Sequence, residues 1–385
     1  MYRLFEQLVA RLAAPFAGRE RRSSRVWPCQ CGQSVFFRNS QCLACHSSLG
    51  YWPDSHRVGT LLPGPHAGEW WLDGEPEAGA LKRCANLDTP AACNWLLAAD
   101  DPQAFCLACR LNWTIPDLSI AENPLRWRKV ETAKRRLIAQ LLSLGLPVQP
   151  KATADGEGLA FNFIGIDLAG NAPTTGHFHG LITLDIREAD DDWREQMRVQ
   201  LHEPYRTLLG HLRHEVGHYY WDRLVANTGW LEAFRQLFGD ERSSYAEALQ
   251  RHYQQGAPVD WAMAHVSAYA TMHPWEDWAE SWAHYLHMTD AVDTALALGM
   301  DASAMDLDFP PFVQGSLYRP EHPGAVGFLA FVNAWVELSA MLNELSCSMG
   351  QADFYPFVLS APVVAKLHFI HLVVQGAGQG DGSSP

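Results

Sequence analysis

The sequence predicts an α+β protein, mainly helical, in which a cysteine-rich N-terminal module precedes a larger domain. Eight of the nine cysteines stand before residue 110, in two sets: Cys29, Cys31, Cys42 and Cys45, then Cys84, Cys93, Cys106 and Cys109. Beyond Pro116 apolar residues recur mostly at helical spacing, with two strand candidates at 159–166 and 181–186. At 385 residues, 48% hydrophobic and 19% charged, the chain is long enough for one substantial core and a smaller module.

Residues 1–26 set Leu4, Phe5, Leu8, Val9, Leu12 and Phe16 at near-helical spacing among Arg3, Arg11, Arg19, Arg21 and Arg22. Such an amphipathic extension suits a membrane surface or a docking groove. It does not read as an export signal, because Arg11 interrupts the apolar stretch and Arg21-Arg22 follows it. No segment reaches the roughly 18 uncharged apolar residues that span a bilayer. A cytoplasmic protein is expected.

Residues 27–120 form the expected zinc-ribbon region. Short-spaced cysteine pairs at hairpin tips can hold four thiolates tetrahedrally around Zn²⁺, and a segment this small lacks the apolar content to fold well unaided. Cys29, Cys31, Cys42 and Cys45 make the first candidate site. Cys84, Cys93, Cys106 and Cys109 make the second, in which Cys84 and Cys93 are not closely spaced. A disulfide framework competes with this reading, and the lack of an export signal argues against it. His46 and His66 are substitute ligands or loop histidines. Residues 51–81, with their Gly, Pro and Trp70-Trp71, read as an irregular loop.

Lys+Arg and Asp+Glu balance at 11 each over residues 1–120, whereas the remainder carries 18 against 32, so the net charge of −14 belongs to the C-terminal two-thirds. That disfavours nucleic acid and anionic membranes as partners. The ribbon region is expected to serve folding or a protein partner.

The larger domain is expected over 121–374. A helix at 126–144 buries Val130, Ala133, Leu137, Leu141 and Leu144. The strand at 181–186, preceded by His177 and His179, is a candidate sheet edge for pairing with extended peptide. An acidic helical segment follows at 189–202. Residues 226–265, with Tyr245, His252 and Tyr253, read as a helical insertion that could cover a cleft. Two apolar helices near 325–345 and 354–374 carry Asn333, Glu337 and Asn343, which argue for core packing. Residues 375–385 read as a disordered tail.

Chemistry concentrates in His211-Leu-Arg-His214-Glu215-Val-Gly-His218-Tyr219-Tyr220-Trp221-Asp222. On a helix beginning near Glu203-Pro204, His214 and His218 lie one turn apart on one face and can grip one Zn²⁺, with Glu215 beside them facing a metal-bound water. That pattern nominates a zinc hydrolase. A catalytic zinc needs a third protein ligand and an open position. Pro274 suits the first position of a second helix, which puts Glu276 in its first turn and Glu280 one turn later on the same face. Glu276 is assigned as the ligand, and Glu280 as the acceptor of a ligand histidine's outer N–H. Asp222, one turn beyond His218, either supports that histidine or is a solvated acid.

His214-Glu215-x-x-His218 followed by Glu276-x-x-x-Glu280 resembles the gluzincin peptidases, in particular the lethal-factor-like group. The resemblance implies a zincin-like metallopeptidase domain. It also implies an oxyanion-stabilising tyrosine seven residues before the ligand Glu, the position of Tyr269. More narrowly, the chain resembles a bacterial family of zinc-binding metallopeptidases with an N-terminal zinc ribbon. The resemblance spans roughly residues 27 to 370 through Cys42-Leu-Ala-Cys45, Phe105-Cys-Leu-Ala-Cys-Arg-Leu-Asn112, Pro204-Tyr-Arg-Thr-Leu-Leu-Gly210, the stretch from His214 to Asp222, and His273-Pro-Trp-Glu-Asp-Trp-Ala-Glu280.

The expected activity is hydrolysis of a peptide or isopeptide-like amide, with one catalytic and two structural Zn²⁺. Glu215 acts as general base and Tyr269 as oxyanion donor. The alternatives are a zinc-stabilised protein-interaction adaptor with a vestigial peptidase site, and a ribbon-based nucleic-acid binder.

Overall fold

The structure, a computed structural model, describes residues 25–153, 156–166, 173, 175–200, 207–300, 307 and 309–378. Two compact units emerge, one ending at Glu195 and one running from Gln196. Apart from Arg25 and Val26, the expected N-terminal extension lies outside the described residues.

The first unit opens with an antiparallel hairpin, β1 (Val26–Pro28) and β2 (Ser34–Phe36). A five-stranded antiparallel sheet follows in chain order: β3 (Leu49–Trp52), β4 (Arg57–Pro63), β5 (Glu69–Leu72), β6 (Leu81–Arg83) and β7 (Leu96–Ala98). Residues 51–81 are therefore ordered strands and tight turns, not the irregular loop that their composition suggests. Their glycines mark the corners: Gly68 and Gly74, at φ +86° and +79°, adopt a conformation that a Cβ would strain. Leu61, Leu72, Leu81 and Leu96 close an apolar layer against which Trp52 and Trp70 pack, while strand alternation leaves Trp71 exposed.

The same unit holds a four-stranded sheet in the spatial order β10 (Gly176–Phe178), β11 (Leu181–Asp185), β9 (Ala160–Ile164), β8 (Asn112–Thr114). The strand expected at an edge, β11, is instead interior. It pairs antiparallel with β10 and parallel with β9, so neither side is open to an extended peptide. His179 and Gly180, at φ +45° and +80°, form the two-residue turn between β10 and β11. His177 Nε2 accepts the Gly180 N–H at 2.8 Å, so this histidine shapes the turn.

The short helix α1 (Leu107–Arg110) precedes β8, and the long helix α2 (Asn123–Ser143) buries Trp127, Val130, Leu137, Ile138 and Leu141. Glu131 of α2 is fully buried and receives Lys134 Nζ at 2.6 Å and Asn112 Nδ2 at 2.9 Å. Cys109 Sγ lies 4.0 Å from its other oxygen. A buried charge pair persists only when its remaining lone pairs are met. Here Asn112 joins Lys134 on one oxygen, and Arg135 Nη1 stands 3.8 Å from the other.

Helix α3 (Asp191–Gln200) carries the boundary between the units. The second unit is helical: α4 (Leu208–Leu224), α5 (Leu231–Phe238), α6 (Tyr245–Gln255), α7 (Pro274–Ala297), α8 (Ala325–Ser348) and α9 (Ala361–Gly378). Helix α4 starts at Leu208, where Thr207 caps it by accepting the Gly210 N–H at 3.0 Å. The earlier start expected near Glu203-Pro204 lies outside the described residues.

Aromatic side chains fill this unit. Trp278 meets Phe238 at 5.9 Å, Phe369 at 6.1 Å and Phe234 at 6.2 Å, and Tyr220 stacks on Trp282 at 5.1 Å.

By length and composition α8 is long and apolar enough to cross a membrane, although Glu337 and Glu344 interrupt its uncharged run. One face buries Phe328, Phe331, Trp335 and Leu338. Asn333 exchanges two hydrogen bonds with the Phe312 backbone, at 2.8 and 3.2 Å, and Asn343 does the same with Tyr355, at 2.8 and 2.9 Å. These are the contacts of a core helix. Helix α9 continues to Gly378, so 375–378 are helical and not part of a disordered tail; the last seven residues lie outside the described ones.

Candidate metal centre

The centre is built where α4 crosses α7. A Cβ placed on Gly217 would stand 3.1 Å from Ala279 Cα and 3.2 Å from Trp282 Cδ1, so only glycine allows this approach without a shift. Trp278 Nε1 donates to the Gly217 carbonyl at 2.8 Å across the same contact. Arg213, buried on α4, donates to Asp290 at 2.7 Å and His287 at 2.6 Å on α7. Steric fit and a buried ion pair thus set how the two helices lie.

The start of α7 is fixed by its cap. His273 Nδ1 accepts the Trp275 N–H at 3.1 Å, its Nε2 donates to the Ser243 carbonyl at 3.1 Å, and Pro274 occupies the first turn. Glu276 then falls in the first turn, buried and facing α4.

His214, His218 and Glu276 come together, with one ligand atom from each lying within 4.8 Å of the others. His214 Nε2 is 3.0 Å from Glu276 Oε2, and His218 Nε2 is 3.6 Å from Glu276 Oε1. Glu280 accepts from His214 Nδ1 at 2.7 Å, and its other oxygen accepts from Ser267 Oγ at 2.6 Å. With Nδ1 carrying that proton, the Nε2 lone pair faces the Glu276 carboxylate.

Glu276 Oε2 is buried and has no hydrogen-bond partner apart from the His214 Nε2 that it faces. Two acceptors 3.0 Å apart repel unless a cation lies between them. The side chains respond accordingly: burial opposes a charge on His214, but Glu276 and Glu280 outweigh it and raise its pKa well above the ordinary value. Burial likewise opposes the Glu276 charge, and His218 and His214 outweigh it, lowering its pKa well below the carboxylate range. Two imidazoles and one carboxylate suit Zn²⁺, which would replace the proton these groups otherwise share.

Glu215 lies on the same helix, buried, with His211 Nε2 3.3 Å from its Oε1. Burial pushes its pKa up, but His211, His214 and His218 together hold it below the usual value. The Tyr269 ring stands 6.1 Å from that of His214. Burial and the nearby Glu276 keep the Tyr269 phenol protonated. Asp222 is exposed on α4.

Three contributors carry no motif. Tyr245 donates to Glu276 Oε1 at 2.9 Å, from 31 residues upstream. Ser267 orients Glu280 from a loop. Only His211, one turn before Glu215, could have been found by helical spacing.

Each cysteine set also converges, with sulfurs within 4.8 Å of one another. In the first, Cys29 and Cys45 are 3.6 Å apart and Cys31 and Cys42 3.8 Å; in the second, Cys93 and Cys106 are 3.6 Å apart. A disulfide needs about 2.05 Å. A tetrahedron with Zn–S bonds of about 2.3 Å has edges of roughly 3.8 Å, which these distances match. Cys31 and Cys45 are exposed, whereas all four cysteines of the second set are buried. His46 is a turn residue at φ +59°, and neither it nor His66 joins a cysteine set.

The family described as "Putative zinc-binding metallo-peptidase" matches residues 123–373, and a zinc-ribbon domain matches residues 26–120. Similar proteins occur in Mycobacterium bovis and in two strains of Mycobacterium tuberculosis, each named an uncharacterized protein. Each is 42% identical over 345 residues, covering 89% of this chain and 93% of the relative. No solved structure matches the chain. The chain therefore belongs to this zinc-binding metallo-peptidase family, with a zinc ribbon at its N-terminal end.

Proposed function

We propose that the protein is a zinc-dependent peptidase of the gluzincin type, with a zincin-like catalytic domain, that hydrolyses a peptide or isopeptide-like amide. The observation that carries this reading is the convergence of His214, His218 and Glu276 with Glu215 buried beside them. Zinc held by those three side chains would lower the pKa of a water toward neutrality and polarise the scissile carbonyl.

Glu215 takes the proton of the attacking water and returns it to the leaving amine. Its buried position keeps that proton from bulk solvent. The Tyr269 hydroxyl, held protonated, donates to the oxygen that becomes negative as the carbonyl is attacked, an interaction stronger in the transition state than in the substrate. Glu280 holds His214 in the tautomer that leaves Nε2 available. The two cysteine sets would hold one structural zinc each, and the ribbon would serve a protein partner or the fold. Thiols in such number suit the reducing cytoplasm, where we expect the protein to act.

The test is zinc per chain by elemental mass spectrometry on protein purified without chelator, paired with hydrolysis of a peptide library. The expected result is about three zincs in the wild type and about two in Glu276→Ala. Glu215→Gln should keep its zinc and lose roughly 10²-fold or more of its turnover. Undiminished hydrolysis in Glu215→Gln refutes the mechanism. Two zincs in the wild type, with no hydrolysis, would favour an adaptor with a vestigial site.

A further inference from the structure

The first turn of α7 is held from outside by one short segment, Ser243 to Tyr245, at the start of α6. The Ser243 carbonyl accepts from His273 Nε2 at 3.1 Å, and His273 is the residue that caps α7. Two residues on, the Tyr245 hydroxyl donates to Glu276 Oε1 at 2.9 Å, and its ring meets the His273 ring edge-on at 5.3 Å. Ser244, between them, caps α6 by accepting the Glu247 N–H at 3.4 Å, which sets the direction in which Tyr245 leaves the turn. The cap of α7 and the carboxylate in its first turn are thus tied to the same three residues.

The two oxygens of Glu276 have different surroundings. Oε1 receives the Tyr245 hydroxyl at 2.9 Å and stands 3.6 Å from His218 Nε2, while Oε2 is buried, receives no hydroxyl and faces His214 Nε2 at 3.0 Å. The phenol therefore competes with a metal for Oε1 and leaves Oε2 the freer oxygen. A catalytic zinc must keep a position open, and a carboxylate that bound through both oxygens would compete for it.

We propose that Tyr245 is a positioning residue of the metal centre, holding Glu276 so that it binds zinc through Oε2 alone. The proposal rests on reading His214, His218 and Glu276 as a zinc site.

The experiment compares Tyr245→Phe, which keeps the ring and removes only the hydroxyl, with wild type and with Tyr253→Phe, an exposed tyrosine on the same helix. Zinc affinity is measured on the full chain by chelator competition, and the visible spectrum of the cobalt(II)-substituted protein reports coordination number. The expected result is an affinity 10- to 100-fold weaker for the third zinc in Tyr245→Phe, the usual scale for losing a hydrogen bond to a metal ligand. The cobalt spectrum should shift toward higher coordination, with the two ribbon zincs and Tyr253→Phe unchanged.

Wild-type affinity and an unaltered cobalt spectrum in Tyr245→Phe overturn the assignment while leaving the zinc site standing. A Tyr245→Phe chain that fails to fold, by circular dichroism, overturns it too, because the hydroxyl would then serve the fold and not the ligand. A wild type with no zinc beyond the ribbon sites overturns the zinc reading itself. A catalytic defect is not needed for any of these outcomes.

Discussion

Gly217→Ala tests whether the metal centre depends on the closeness of the two helices. Alanine is the better helix former by about 1 kcal/mol, so an isolated α4 would gain. In the protein the new methyl carbon would lie 3.1 Å from Ala279 Cα and 3.2 and 3.3 Å from two Trp282 atoms, closer than ordinary contact. The Ala279 atom is helix backbone, and Trp282 is fully buried, stacked on Tyr220 and packed on Trp278, so neither can turn aside. Relief requires α7 to retreat by a few tenths of an ångström.

Overpacking of this kind costs about 1–3 kcal/mol. Set against the helical gain, the net change is about 0–2 kcal/mol of destabilisation, a fall of a few degrees in Tm. The larger effect falls on metal, because Glu276 and Glu280 ride on α7 while His214 and His218 ride on α4. Ligand distances tolerate only about 0.2 Å. Zinc affinity at this site should therefore drop well beyond what the stability change implies, with the ribbon zincs retained. Thermal melting and chelator competition on the same preparation check both halves. A Gly217→Ala protein that melts higher and binds the third zinc as tightly as wild type refutes the argument.

Two further outcomes follow from the buried polar groups. Glu280→Gln keeps the shape but weakens the acceptor at His214 Nδ1, so zinc affinity should fall 10- to 100-fold by the same competition assay, and an unchanged affinity would remove Glu280 from the centre. The buried histidines of the helical unit should cost it stability in acid, against the opposite contribution of Asp277, whose pKa burial pushes up to about 7. Burial pushes His284 down to about 4 and His371 to about 3, so both stay neutral in the fold while the unfolded chain begins to protonate near 6.5. Above that pH neither state is charged and nothing is gained or lost. Below it the unfolded state binds protons first, and stability falls by about 2 kcal/mol per histidine at pH 5. Urea unfolding at pH 7 and pH 5 measures this, and His371→Asn should show the shallower dependence.

What could be read from the sequence and what could not divide along a physical line. That His214, Glu215, His218, Glu276 and Glu280 lie together was legible because a helix converts spacing into direction, and Pro274 marked the start of the second helix. The cysteine sets were legible because thiolates at hairpin tips leave few other uses for such pairs. Residues 51–81 were not, since strands of three to seven residues offer too few alternations to outweigh the Gly and Pro at their corners. Nor could sequence tell that β11 is interior, because which strands pair is decided between segments that are distant along the chain. Composition changes near residue 120, whereas packing divides near 195: β8, at the end of the cysteine region, pairs with β9, and Asn112 and Cys109 approach Glu131 of α2.

The same division explains Tyr245 and Ser267. Each reaches the centre from a turn, and each acts on a carboxylate that already belongs to a recognisable pattern: Tyr245 on Glu276, Ser267 on Glu280. A motif records the residues that one helix can aim by itself. The groups that decide which oxygen of Glu276 is available, and which nitrogen of His214 is bare, arrive by tertiary packing and leave no spacing rule behind. Residues outside the motif are therefore expected to contribute to zinc affinity and coordination number at this centre. Variants at Tyr245 and Ser267 should tune zinc binding in a chain whose motif is intact.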